Sequence, residues 1–139
     1  MSLLTDKFFY NALVASEDIT AMVDDRIYNP ARSNTEEDED RIPYIIVKFD
    51  GLQNNSETKD DGVEGDEDMV NISILCVSGD CDSLGDLTEA VRQQCKIYWE
   101  AGTDEQTPID WNFSASEVEY DPDKPCCYQL LRYNCTTNI

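Results

Sequence analysis

Apolar and polar positions alternate most regularly in two runs, Ile42–Phe49 and Met69–Val77. In the second, Val70, Ile72, Ile74 and Cys76 alternate with Met69, Asn71, Ser73, Leu75 and Val77. A period of two places one set on the core face of a β-strand. The first run, Ile42-Pro43-Tyr44-Ile45-Ile46-Val47-Lys48-Phe49, is rich in β-branched and aromatic residues, which fit a pleated, half-buried surface. Pro43 has no N–H and belongs at the start of its strand. The two runs predict one long hairpin. The polar segment Gln53–Asp68 between them reads as an acidic tongue with strand-like ends.

Helical spacing appears before and after this hairpin. Thr5 can cap a first helix through about Ala15, with Leu4, Phe8, Phe9, Ala12 and Leu13 close to one face. Ser16 can cap a second, shorter helix with Ile19, Met22 and Val23 facing inward, ended by Asp24-Asp25. Arg26-Ile27-Tyr28 then reads as a short strand, broken by Asn29-Pro30. Beyond the hairpin, Leu84, Leu87, Val91, Cys95 and Tyr98 recur at steps of three and four and predict a helix to about Glu100. Ser83 and Asp86 resemble its capping box, and Gly102 is its stop.

Trp111–Glu119 and Cys126–Thr136 read as two closing strands joined by a turn of Asp and Pro residues, Tyr120–Pro125. Tyr128, Leu130, Leu131 and Tyr133 make the last strand apolar on both faces. It is therefore expected inside the sheet or under a neighbouring chain. The order of elements predicts an α+β fold: a mainly antiparallel sheet with a long hairpin and two main helices packed on one face. Residues 1–139 read as one domain with acidic loops at 34–41 and 53–68.

Charge changes this picture most. Thirty acidic residues face ten basic ones, a net charge of −20. Such a surface repels nucleic acid and anionic membranes and favours basic partners, cations or a role in which repelling DNA is useful. The N-terminus lacks a basic region followed by an apolar one, and no run approaches the length of a membrane span, so a soluble intracellular chain is expected. Six cysteines then read as thiols. They contain no CxxC pair, and Cys76, Cys95 and Cys135 are expected in the core. Asn-x-Ser/Thr sequences at Asn54, Asn71, Asn112 and Asn134 read as coincidence, since at least two lie in predicted strands.

Catalytic chemistry finds little footing. Without histidine there is no His-containing triad, and the commonest general base is missing. There is no Walker A loop, GxGxxG or GxSxG. The turn Gly79–Gly85 holds a serine better used as a helix cap than as a nucleophile. The run Asp60–Asp68 offers hard oxygen ligands but departs from the EF-hand pattern. No catalytic, cofactor or metal residues are assigned, and no enzyme is expected. Trp99, Trp111, Tyr120 and Tyr128 could make a ligand surface, though such residues more often anchor a core or a subunit interface.

The layout resembles the tail-completion or tail-terminator family of long-tailed bacteriophages. The resemblance is carried by the N-terminal helix, by Ile19-Thr20-Ala21-Met22-Val23-Asp24-Asp25-Arg26-Ile27-Tyr28, by Arg41-Ile42-Pro43-Tyr44-Ile45-Ile46-Val47 and by Ala90-Val91 in the later helix. It implies a virion protein, assembled in the host cytoplasm, that forms a ring, usually a hexamer. Such a ring caps the tail tube and joins a head-completion or connector protein, with DNA passing through without specific binding. The acids Glu36, Glu37, Asp38, Glu39, Asp40, Asp60, Asp61, Glu64, Asp66, Glu67 and Asp68 are candidates for its lumen or interfaces. A neck or head-completion ring, an acidic DNA mimic that inhibits a basic protein, and a small enzyme or metal-dependent module are the alternative readings.

Overall fold

The computed structural model describes residues 2–32, 42–54 and 67–138. After a 3-10 turn at Ser2–Leu4 come α1 (Thr5–Val14), α2 (Glu17–Val23) and β1 (Ile27–Tyr28). A second 3-10 turn, Pro30–Arg32, precedes β2 (Tyr44–Asn54) and β3 (Glu67–Ser78). Then follow α3 (Cys81–Ala101), β4 (Asp110–Ala115), β5 (Glu119–Asp121) and β6 (Cys126–Asn138). The fold is α+β, as expected.

The strands form a sheet in the order β1-β2-β3-β6-β4, with β5 also paired to β6. Among the described residues only β1 and β2 run parallel; the other pairs are antiparallel. The predicted hairpin is β2 and β3, and β6 lies inside the sheet as its two apolar faces imply. Ile74 sits opposite Val47 on one side and Leu131 on the other. Gly51, at φ +135, follows a bulge at Asp50 that shifts the register between Phe49 and Gly51.

The alternation decides which face is core. Val70, Ile72, Ile74 and Cys76 are buried with Ile45, Val47, Leu131, Tyr133 and Cys135. The helices cover this face: Phe8, Phe9 and Leu13 from α1, Ile19 and Val23 from α2, and Leu84, Leu87, Val91 and Cys95 from α3. Phe9 and Trp111 pack on Tyr133, with ring centroids 4.8 and 5.1 Å away. Each fully buried side chain of this size contributes about 1.5–3 kcal/mol of transfer free energy.

Several local expectations need correction. Thr5 is the first residue of α1 rather than its cap, and its hydroxyl donates to the Ser2 carbonyl at 2.7 Å. Met22 is more than a third exposed, because Ile19 and Val23, one turn apart, fill the core side of a short helix. The cap of α3 is Asp80, whose carboxylate accepts from the Ser83 N–H at 2.7 Å and from the Ser83 hydroxyl at 3.0 Å. Ser83 is thus the third helical residue, and the helix starts earlier than its apolar spacing indicates. Trp111–Glu119 is not one strand. The chain leaves β6 after Ala115 and rejoins it as β5, because the Ser116 hydroxyl takes the Leu130 N–H at 3.0 Å.

Candidate functional site

Of the acidic residues singled out in the sequence, Glu36, Glu37, Asp38, Glu39, Asp40, Asp60, Asp61, Glu64 and Asp66 lie outside the described residues. Glu67 and Asp68 do not belong to a loop; they open β3. Gln53 and Asn54 likewise belong to β2. Asp68 faces Asn54 and Thr137 across the sheet, is buried, and accepts from the Asn54 amide at 2.7 Å. A carboxylate held in this way fixes the end of the hairpin and is not free surface charge.

All four Asn-x-Ser/Thr asparagines lie in strands. Asn71, Asn134 and Asn112 are direct partners on three neighbouring strands. They form an exposed polar row on the face turned away from the helices, since their chain neighbours Ile72, Tyr133 and Phe113 point into the core. The adjoining row on that face, Lys48, Ser73, Arg132 and Ser114, carries two cations. Ile46, Leu75 and Leu130 follow as a half-buried apolar row. None of the described helices covers this face.

A second surface lies on the helical side, at the sheet edge. Here α3 and β4 enclose a groove of about 350 Å³. Its floor is Trp99, Trp111 and Phe113, with the two indoles 5.4 Å apart. Trp99 Nε1 donates to the Pro108 carbonyl at 2.8 Å, which fixes that ring. Arg92 lies 4.3 Å over the Phe113 ring, and Lys96 follows one turn later. Sequence reasoning marked both tryptophans as possible interface anchors but could not see the two cations beside them. The signal for that was the Arg92–Lys96 spacing on α3, which places both on one helical face.

The thiols are packing residues with the exception of Cys81, which is exposed at the start of α3. Burial pushes Cys95 and Cys135 up to about 12, and Cys76 higher still. Among the described residues, no cluster of three His, Cys, Asp or Glu side chains could hold a metal ion. No described helix is long and apolar enough to cross a membrane.

No protein-family model matches the chain, and no curated protein matches it. A solved chain from the virion of a native gene transfer agent particle is similar in structure, with a TM-score of 0.63 over 94% of this chain and 92% of that one. The two sequences are 12% identical, so the likeness is one of fold.

Proposed function

We propose that this chain is a structural subunit of a phage-like particle. In that particle it forms a ring that caps the tail tube and joins it to the head, acting by assembly rather than by catalysis. The observation that carries the reading is the fold shared, over nearly the whole length of both chains, with a chain of the gene transfer agent virion. The layout of helix, Arg26-Ile27-Tyr28 segment and Pro43-Tyr44-Ile45 strand supports the tail-terminator position within such a particle.

The charge fits the role. A net charge of −20 repels phosphate, so DNA slides through a ring of such subunits instead of adhering to it. The partners are further copies of the chain in a closed ring, a hexamer as the tail-terminator resemblance implies, together with the tube protein below and a head-completion protein above. Like charges on neighbouring copies make closure salt-dependent, since screening acts over about 8–10 Å at ordinary ionic strength.

The test pairs light scattering at low and moderate salt with negative-stain imaging, and adds particles assembled without this chain. Rings with an open centre, and heads that fail to join tails when the chain is missing, are the expected results. Normal joining without the chain would overturn the reading.

A further inference from the structure

One pair of thiols is in contact at a place that solvent reaches. The pairing of β3 with β6 sets Cys127 opposite Ser78, and Cys127 belongs to the core on the helix-covered face. Gly79 and Asp80 then turn the chain, and Cys81 follows as the first residue of α3. That start is fixed: the Asp80 carbonyl accepts from the Leu84 N–H at 3.0 Å, and its carboxylate accepts from the Ser83 N–H at 2.7 Å. Cys81 therefore stands just beyond the strand partner of Cys127. The two side chains share a hydrogen bond, in which the Cys127 thiol is held protonated. Cys81 is exposed, whereas Cys127 is 2% exposed.

The other four thiols do not combine contact with access. Cys76, Cys95 and Cys135 are fully buried, with no path for a reagent. Cys126 is the chain neighbour of Cys127, but successive side chains of a strand point to opposite faces. It is turned away from Cys81 and lies near Asp121 and Lys124.

We propose that Cys81 and Cys127 are a redox pair that closes to a disulfide by exchange with a low-molecular-weight disulfide. The Cys81 thiolate attacks one sulfur of the reagent. The reagent's S–S bond breaks, one thiol leaves, and Cys81 carries the mixed disulfide. Cys127 then loses its proton to solvent and its sulfur attacks the Cys81 sulfur, expelling the second reagent thiol. Two protein thiols are oxidised and one reagent disulfide is reduced to two thiols. Exposure makes Cys81 the point of entry. Contact makes Cys127 the group that resolves the adduct, at an effective concentration that a free thiol does not reach. The closed bond ties the first turn of α3 to β6, across the loop that carries α3, β4 and β5. It stabilises the fold by restricting the unfolded chain. In reducing surroundings the pair rests as two thiols, and in oxidising ones it closes. The inference does not depend on the ring reading.

Incubation of the folded, reduced full chain with glutathione disulfide, followed by alkylation, intact mass and peptide mapping, tests the pair. The expected product has lost two hydrogens, carries a Cys81–Cys127 cross-link and keeps the other four cysteines free. Its melting temperature should lie about 5 °C or more above that of the reduced chain, and dithiothreitol should reverse both changes. Cys127→Ser should stop at a glutathione adduct on Cys81 that lives at least about tenfold longer than in wild type. Cys81→Ser should slow oxidation at least about tenfold, and Cys126→Ser should behave as wild type. Cys127 is buried, so melting of its variant is checked first; the wild-type map decides the matter without it.

A lasting glutathione adduct on wild-type Cys81 with no internal bond, a bond that joins Cys126, or a bond between two chains would each overturn the pair. So would a cross-link that forms only in urea, because the native contact would then not be its source. An oxidised chain that melts no higher than the reduced one would overturn the staple.

Discussion

Asp6 and Arg32 close the N-terminal part of the molecule on itself. The Asp6 carboxylate is fully buried and takes two guanidinium hydrogen bonds from Arg32, at 2.6 and 3.0 Å. Asn29 adds a third at 2.9 Å, and Arg32 also donates to the Leu3 carbonyl at 2.6 Å. The pair ties the turn after β1 back to the first turn of α1. Arg32→Met leaves a buried carboxylate with the Asn29 amide alone, and we expect a loss of about 3 kcal/mol by urea denaturation. Adding Asp6→Asn to that variant should recover part of the loss, because the stranded charge is gone. Full additivity of the two changes would show that the pair is not coupled.

Ile74 is the centre of the core, in a strand flanked on both sides and covered by the helical layer. Ile74→Ala should cost about 2–5 kcal/mol and Ile74→Val about 0.5–1.5 kcal/mol, from lost transfer free energy and the cavity left behind. Ile97, on the outer side of α3, is 60% exposed, and Ile97→Ala should stay within about 0.5 kcal/mol of wild type. Equal losses at the two positions would contradict the core as described.

Asp80 gives α3 a pH dependence. Hydrogen bonds from the Ser83 N–H and then the Ser83 hydroxyl hold its carboxyl below the ordinary value of 3.8. A depressed carboxyl contributes stability above its unfolded pKa and loses it as pH falls through the folded one, so the effect lies below 3.8. Far-UV circular dichroism, followed from about pH 5 down to about pH 2, should show Asp80→Asn lacking this component while still capping the helix. Asp80→Ala should lower the melting temperature already at neutral pH. Identical acid profiles for wild type and Asp80→Asn would remove the assignment.

Cys81 should be the one thiol open to reagents. Cys76, Cys95 and Cys135 are buried and held protonated, and a hydrogen bond with Cys81, followed by burial, raises Cys127 to about 11. Burial also raises Cys126. Iodoacetamide on the native chain should therefore label Cys81 first, with the other five following only on denaturation. Peptide mapping reads the order, and Cys81→Ser should abolish the early label. Equal rates at Cys95 and Cys81 would mean that the core opens on the labelling timescale.

The sequence by itself determined what depends on local periodicity and backbone chemistry. The period of two in Met69–Val77 placed Val70, Ile72, Ile74 and Cys76 on the core face. Spacing of three and four placed Leu84, Leu87, Val91 and Cys95 on the buried side of α3. Gly102 stops that helix in the left-handed conformation, at φ 62. The two apolar faces of Cys126–Thr136 marked an interior strand. These features follow from residues close together in the chain, where side-chain direction is set by the helix or strand itself.

Only the tertiary structure decided the rest. Asp68 looked like part of an acidic loop until the pairing of β2, β3 and β6 buried it beside Asn54. Arg32 meets Asp6 only because α1 and the turn after β1 pack together. Trp99 and Trp111 form one groove only because β4 pairs with β6 under α3. Each of these contacts joins positions whose neighbours in the chain carry no signal of the other. Charge and exposure at a given residue depend on which distant strand lies beside it, and that is a property of the packed sheet.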